Sequence, residues 1–504
     1  MKGTRFIGLD IGTGGTKGLL VAPNGKVIAT AMASYPLLTP QPGWSEQNPE
    51  DWWKATVQVL KELTQKGKGA PVGLGLTGQM HGAVFLNAHG DIIRSAILWN
   101  DARTGAECRE IEERVGSKRL RQIIGNPALA GFQAPKILWL RNHEPENYAQ
   151  VRWVLLPKDY IRLRLTGALA TDASDAAGTL LLDLRSRNWS EEILSALDIP
   201  QGWLPKVYEG PEITGVVSEE AARVTGLPAG IPVVAGGADN AAAAIGCGVI
   251  RPGTGLLSLG TSGVILAHTD RPQIDPSGAL HSFCHAVPDK YYSMGVVLSA
   301  GGSLRWFRDA LGLPEVTAAR KAAANPYDLL TAEAAKSPAG AEGLLFLPYL
   351  AGERTPHMDS DARGAWIGLS LAHRRKHLIR AVLEGVGFAL NDAWERMVAL
   401  GLAPPVLHLV GGGAQSGLWR KIIASILNVP LQQLEIEEGP AFGAALLAGV
   451  GCGTYDTVEE AVEQAVRVKG ELEKPDPSLV EFYRPKYERY IKLYPAFKKS
   501  GVWE

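Results

Sequence analysis

Cysteine is scarce in this chain: Cys108, Cys247, Cys284 and Cys452 are the four in 504 residues, and no two form a C-x-x-C pair. That spacing argues against a disulfide scaffold and fits free thiols in a reducing compartment. No apolar run approaches membrane-spanning length, and no cleavable leader precedes Asp10; a cytoplasmic protein is expected. Charge of one sign is also missing. The formal net charge is −1 and the pI about 6.8, so nothing steers the chain toward nucleic acid or an anionic membrane. The densest basic run, His373-Arg374-Arg375-Lys376-His377, precedes a helix-like segment and reads as a solvated face. Along the strand-like run His281–His285 the two histidines share a face and Cys284 points away, which argues against a metal site. Two common nucleotide fingerprints are absent as well. The Walker pattern needs glycine just before Lys17, where Thr16 stands; the Rossmann pattern needs glycine at position 17 itself. A P-loop NTPase and a dinucleotide dehydrogenase are thereby disfavoured.

What is present is a phosphate-loop-like turn that occurs twice, half a chain apart. The first copy reads Leu9-Asp10-Ile11-Gly12-Thr13-Gly14-Gly15-Thr16-Lys17, the second Leu257-Ser258-Leu259-Gly260-Thr261-Ser262-Gly263. Each follows an apolar strand-like run and leads into another, so each reads as a hairpin. Glycine lets the turn backbone approach a ligand closely, and its amides and hydroxyls can donate to phosphate oxygens. A carboxylate beside such a turn repels phosphate unless a cation intervenes. Asp10, which has Ser258 as its counterpart, is therefore a candidate for holding Mg²⁺. A plain surface hairpin is the alternative for either copy alone; the duplication and the single Asp weaken it.

At this length more than one domain is expected, and 46% hydrophobic with 20% charged residues fits a globular protein. Strands alternate with helices, which implies an α/β architecture. Asn24-Gly25 marks a turn. Asn48 and Pro49 open a helix that Gly67 ends. Val72–Leu76 is a strand ending at Thr77-Gly78-Gln79-Met80-His81-Gly82. Residues 102–205 carry helix-like segments and few strand signals, as an inserted helical lobe would. Ile231–Ala235 is a buried-strand run ending at Gly236-Gly237-Ala238-Asp239-Asn240, and a small-residue helix, Ala241–Gly246, follows. The boundary is placed at residues 246–252, dividing the chain into 1–247 and 248–504. The second half repeats the plan: the Gly260 turn, a helix after Ser299–Ser303, a long helix Lys376–Leu400, and the strand Val406–Val410 running into Gly411-Gly412-Gly413-Ala414. The tyrosines of Phe482–Tyr494 fall at helical spacing and read as core packing.

The Asp10 hairpin, Gln79-Met80-His81-Gly82 and Gly237-Ala238-Asp239-Asn240 together resemble the FGGY carbohydrate kinases of the actin-like ATPase superfamily. Gly-Gln-Met-His-Gly is similar to their xylulokinase branch. The likeness continues through Leu98-Trp99-Asn100-Asp101, Phe346–Pro356 and Gly411–Ala414 to the tyrosine-rich tail. It implies two actin-like ATPase (ribonuclease H-like) domains flanking a central cleft, with a helical insertion in the first. It also implies ATP-dependent phosphorylation of a ketopentose, with D-xylulose favoured and another ketose or polyol, such as ribulose or L-xylulose, as the alternative. Asp239 matches the family's catalytic base; from the residues alone an N-cap for the following helix is equally good. Met80 and His81 match the family's sugar contacts. Asn240 can bind hydroxyls through its amide, and Trp99 can cover an apolar sugar face or serve the core. Gly12, Thr13 and Thr16, with Thr261, are expected at the terminal phosphates. Gly302, Gly412 and Gly413 match positions that approach the nucleotide, and Gln415 and Ser416 are further candidates there. Asp10 is expected to act through Mg²⁺. Arg354 either neutralises phosphate or anchors a loop by an ion pair. A homodimer is a family expectation. A non-catalytic sugar sensor of the same fold would be expected to lack Asp10, Thr13, Asp239 or Thr261. All four are present. An ATPase machine with no sugar acceptor is disfavoured by the Gln79–Gly82 signature.

Overall fold

The computed structural model describes residues 4–67, 69–436 and 439–503. Its frame is two sheets with one strand plan. In the first, Phe6–Ile11 and Gly15–Val21 form an antiparallel hairpin with Asp10 opposite Lys17. Val27–Ser34 continues the meander. On the other side of Phe6–Ile11 lie Gly73–Gly78 and then Pro232–Val234, both added in parallel. The second sheet repeats this. Gly255–Leu259 and Gly263–Thr269 form the hairpin, Tyr291–Val297 extends it, and Leu407–Val410 then Leu431–Leu434 add in parallel. If the common strands are numbered in chain order, both sheets run 3-2-1-4-5. The sequence duplication is thus a structural one. The first-sheet strands Phe6–Ile11 and Gly73–Gly78 are buried on both faces apart from the partly exposed Asp10.

Helix Pro49–Lys66 begins where Asn48 accepts the Glu50 amide, with Pro49 in the first turn. It buries Trp52, Val59, Leu60 and Leu63 against the first hairpin. The helical lobe is present: Gly105–Val115, Ser117–Ile124, Gln133–His143, Pro157–Thr166 and Glu191–Leu197, with short strand pairs between them. The long helix Arg375–Ala399 packs its Phe388 among Tyr483, Tyr487 and Tyr490. Tyr483 donates to Glu384 (2.7 Å) and Tyr487 to Asp392 (2.7 Å), so the aromatic tail is core. The basic run differs from expectation. Arg375 pairs with Glu315, and His377 is buried, its Nδ1 accepting the Arg374 amide.

Helix Asp239–Gly246 starts two residues before the expected Ala241, because Ala238 rather than Asp239 takes the N-cap place. It packs on the helix Gly439–Gly451, which also lies on the central strands of the first sheet. These approaches are backbone to backbone. A Cβ on Gly443 would sit 1.9 Å from the Ala242 carbonyl oxygen, and one on Gly8 1.8 Å from that of Ala441. The seam therefore requires glycine there. Among the described residues no helix is long and apolar enough to cross a membrane.

Candidate active site

The first glycine turn follows the strand that carries Asp10, and a network of side chains holds it. The Trp99 indole N–H donates to the Thr13 hydroxyl (2.9 Å), which donates on to Gln79 Oε1 (3.1 Å). Gln47 Nε2 donates to the Thr13 carbonyl (2.7 Å), while its Oε1 accepts from Trp52 and Gln79, each at 3.0 Å. The Tyr35 hydroxyl donates to the Gly12 carbonyl. Gly12 and Thr13 stay partly open and Gly14 is exposed, as a ligand-facing turn requires. Thr16 is different: it lies in the returning strand opposite Ile11 and is fully buried. Asp10 is partly exposed at the strand's end. A single carboxylate suits Mg²⁺ arriving on phosphates with its waters. No group of three or more His, Cys, Asp or Glu able to cage a metal exists among the described residues.

The strand Gly73–Gly78 delivers Met80 and His81 to the neighbouring strand end, where Gly237–Ala238 pairs with Thr77–Gly78. Asp239 and Asn240 follow directly, so these four residues come together. Asn240 Nδ2 lies 3.8 Å from the Met80 sulfur. His81 is buried with φ 68°. Its Nδ1 lies 2.6 Å from the Gly178 carbonyl, which can only accept, so Nδ1 carries the proton. Burial drives the imidazole down to about 3, leaving it neutral with Nε2 as an acceptor. Phe132 stands 4.4 Å away, ring centre to ring centre. Asp239 is partly open to solvent. Desolvation pushes it up to about 6, and the Asn240 backbone amide (2.6 Å) and side-chain amide (2.9 Å) counter that by bonding Oδ1. The N-cap reading of Asp239 does not hold: Ala238 takes the N-cap place, Asp239 is the first helical residue, and no side chain caps this helix. Trp99 lies beside the first glycine turn through its bond to Thr13.

A cavity of about 600 Å³ opens at the second turn. Thr261, Gly412, Gly413, Gln415 and Ser416 line it. Gly302 stands behind the turn, its amide donating to the Thr261 carbonyl (2.9 Å). The far wall was not read from sequence: Leu304, Arg305 and Arg308 from helix Gly301–Leu311, and Tyr327, Asp328 and Thr331 from helix Pro326–Ala335. Arg305 donates to the Thr261 hydroxyl, and Arg308 to the Tyr327 hydroxyl (2.8 Å). No local pattern in those helices marks them; only Arg305, three residues beyond Gly302, carried a positional hint. Arg354 makes no ion pair among the described residues. Glu353 turns inward, accepting the Leu298 (3.0 Å) and Arg354 (2.8 Å) amides. His281 bonds Asn126 Oδ1 (2.8 Å).

Two repeated sheets of ribonuclease H-like order, a glycine turn in each and a carboxylate on the Asp239 helix define an actin-like phosphotransferase fold. Residues 5–246 match the FGGY family of carbohydrate kinases, N-terminal domain, and residues 255–452 match the C-terminal domain. The chain therefore belongs to the FGGY family of carbohydrate kinases. It is 43% identical over 494 residues to the xylulose kinase of Escherichia coli (strain K12), covering 97% of this chain and 98% of that one. It is 41% identical over 496 residues to the xylulose kinase of Bacillus subtilis (strain 168), covering 98% and 97%. The crystal structure of ligand-bound xylulose kinase from Lactobacillus acidophilus superposes with a TM-score of 0.92 at 30% identity, covering 99% of this chain and 100% of that one.

Proposed function

We propose that this kinase transfers the terminal phosphoryl group of ATP to the 5-hydroxyl of D-xylulose, giving D-xylulose 5-phosphate and ADP. The near-full-length likeness to xylulose kinases carries the choice of sugar. The grouping of Met80, His81, Asp239 and Asn240 supports the placement of the sugar beside the base. In this reading Asp239 accepts the proton as the sugar oxygen forms its bond to phosphorus and the bond to the ADP oxygen breaks. A carboxyl raised to about 6 is still largely ionised at pH 7 and basic enough to take that proton. Neutral His81 offers Nε2 to a sugar hydroxyl, Met80 packs on carbon, and Asn240 binds a further hydroxyl while orienting Asp239. Trp99 borders the sugar at the phosphate turn. Gly12 and Thr13 receive the terminal phosphates from the first turn, with Thr16 supporting that turn from within. Thr261, Gly412 and Gly413 receive the nucleotide from the second, and Gly302 buttresses it. Asp10 would hold Mg²⁺, which would neutralise phosphate charge. Residues 1–247 would thus supply sugar site and base, and 248–504 most of the nucleotide site, in a cytoplasmic enzyme.

ADP release with Mg-ATP against D-xylulose, D-ribulose, L-ribulose, L-xylulose, D-fructose and glycerol, with a no-sugar blank, tests the substrate. A clear D-xylulose preference is expected; preference for another sugar refutes the substrate, and sugar-independent turnover refutes the acceptor chemistry. Asp239→Asn is expected to abolish sugar phosphorylation while ATP still binds, and near-normal turnover would remove Asp239 from its role.

A further inference from the structure

Beneath Asp239 lies a buried ion cluster that the reaction described above does not use. Lys158, in the first turn of helix Pro157–Thr166, is fully buried. Its ammonium stands 2.7 Å from Asp159, 2.7 Å from Asp172 and 3.3 Å from Asp175, and all three carboxyls are buried. Such a cluster is costly to desolvate, and packing alone is served more cheaply by apolar residues of similar volume. Two arms lead from it to the turn that carries Asp239. In one, Asp172 Oδ1 accepts the Ser174 hydroxyl, and Ser174 Oγ in turn accepts the Ala238 amide at 2.9 Å. Ala238 is the residue immediately before Asp239 and the N-cap of its helix, and it has no capping side chain of its own. In the other, Arg162, 3.5 Å from Asp159, donates to the carbonyls of Val234 (2.7 Å) and Ala235 at the end of the strand feeding the same turn. The turn enters through Gly236, at φ 77°, where a Cβ would lie 1.8 Å from the Leu76 carbonyl oxygen.

We propose that Lys158, Asp172 and Ser174 are positioning residues for the base: they form a brace that fixes the 234–239 turn and so aims the Asp239 carboxylate at the sugar hydroxyl. This rests on Asp239 being the base. The brace touches neither sugar nor nucleotide, so it acts on the chemical step and leaves both ligands' binding alone. A displacement of about 1 Å at a reacting group can cost on the order of a hundredfold in rate.

Steady-state kinetics of Ser174→Ala, with Asp239→Asn assayed beside it, test the brace. The expected result is a kcat lowered about 10- to 100-fold with KM for D-xylulose and ATP each within about threefold of wild type. A kcat within twofold of wild type, whatever the melting temperature, overturns the brace. So does a rise in ketose KM as large as the fall in kcat, which would place the damage in the sugar pocket. If Ser174→Ala does not fold, Asp172→Asn gives the same reading, because it keeps the side chain's size while removing the charge that Lys158 holds. Near-normal turnover by Asp239→Asn would instead sink the base itself; an inactive Asp239→Asn beside a normal Ser174→Ala sinks the brace alone.

Discussion

Replacing Asn240 with alanine should move the acid limb of kcat to higher pH. Asp239 sits at about 6 because desolvation raises it while the Asn240 amides lower it. The group must be ionised to take a proton, so kcat rises with pH through that value. For a single group at about 6, relative rates are about 0.9 at pH 7, 0.5 at pH 6 and 0.1 at pH 5. Asn240→Ala removes the 2.9 Å donor and leaves the backbone amide at 2.6 Å. A hydrogen bond to the charged form lowers a carboxyl's pKa, so its loss raises it. Such a bond contributes about 1.5–3 kcal/mol, and about 1.4 kcal/mol corresponds to one unit, so the limb should climb by about one to two units. At pH 7 about half of the variant, or as little as about a tenth, would be active. The assay is ADP release at saturating ketose and Mg-ATP from pH 5 to 8.5, since weaker sugar binding must not limit the rate. A limb that stays in place or falls would refute the assignment of that titration to Asp239.

His81→Ala should raise the KM for ketose about tenfold, the scale of a lost polar contact with a buried partner, while KM for ATP stays within about twofold; equal loss of both in a folded variant would put the sugar elsewhere. Gly443→Ala forces a methyl to within 1.9 Å of the Ala242 carbonyl and should destabilise by about 1–3 kcal/mol or more, read as a fall in the denaturant midpoint; an unchanged midpoint would mean the seam is not close-packed. Burial pushes Glu353 up to about 8, above its ordinary value of about 4.3. The unfolded chain then gives up this proton before the folded one does, so the group's contribution to stability falls as pH rises between those values. Glu353→Gln keeps the acceptor for the Leu298 and Arg354 amides and removes the titration, so its melting temperature should gain on wild type from pH 5 to pH 8; a constant gap would show the carboxyl ionised in the fold.

Features with short-range signals were legible in the sequence. The glycine turns at Gly12 and Gly260, the Asn48-Pro49 helix start and the strand end before Asp239 depend on backbone requirements of neighbouring residues, and they lie where pattern placed them. Features made by distant segments were not. Helix Gly439–Gly451 is apolar nearly all round, so nothing in it names its neighbours, yet it crosses to the first sheet. Helix Pro326–Ala335 has an ordinary N-cap at Asn325 and no phosphate signature, yet it walls the cavity at the Thr261 turn. His281 finds Asn126, 155 residues away. Thr16 shows the limit within a motif: strand alternation turns it inward while Thr13, on the turn itself, stays in reach of a ligand.

The crossing helix has a consequence for how the chain is made. The central strands of the first sheet and the Asp239 helix are synthesised early, but the segment that covers them, Gly439–Gly451, leaves the ribosome roughly 190 residues after Gly246. At about 5–20 residues per second that is a wait of about 10–40 seconds. Throughout it an apolar surface around Gly8, Gly75 and Ala242 stands uncovered. Nascent chains stalled before Gly439 should therefore be clients for chaperones, and release of roughly the last eighth of the polypeptide, rather than completion of its first half, should be the event that closes the core around the Asp239 helix.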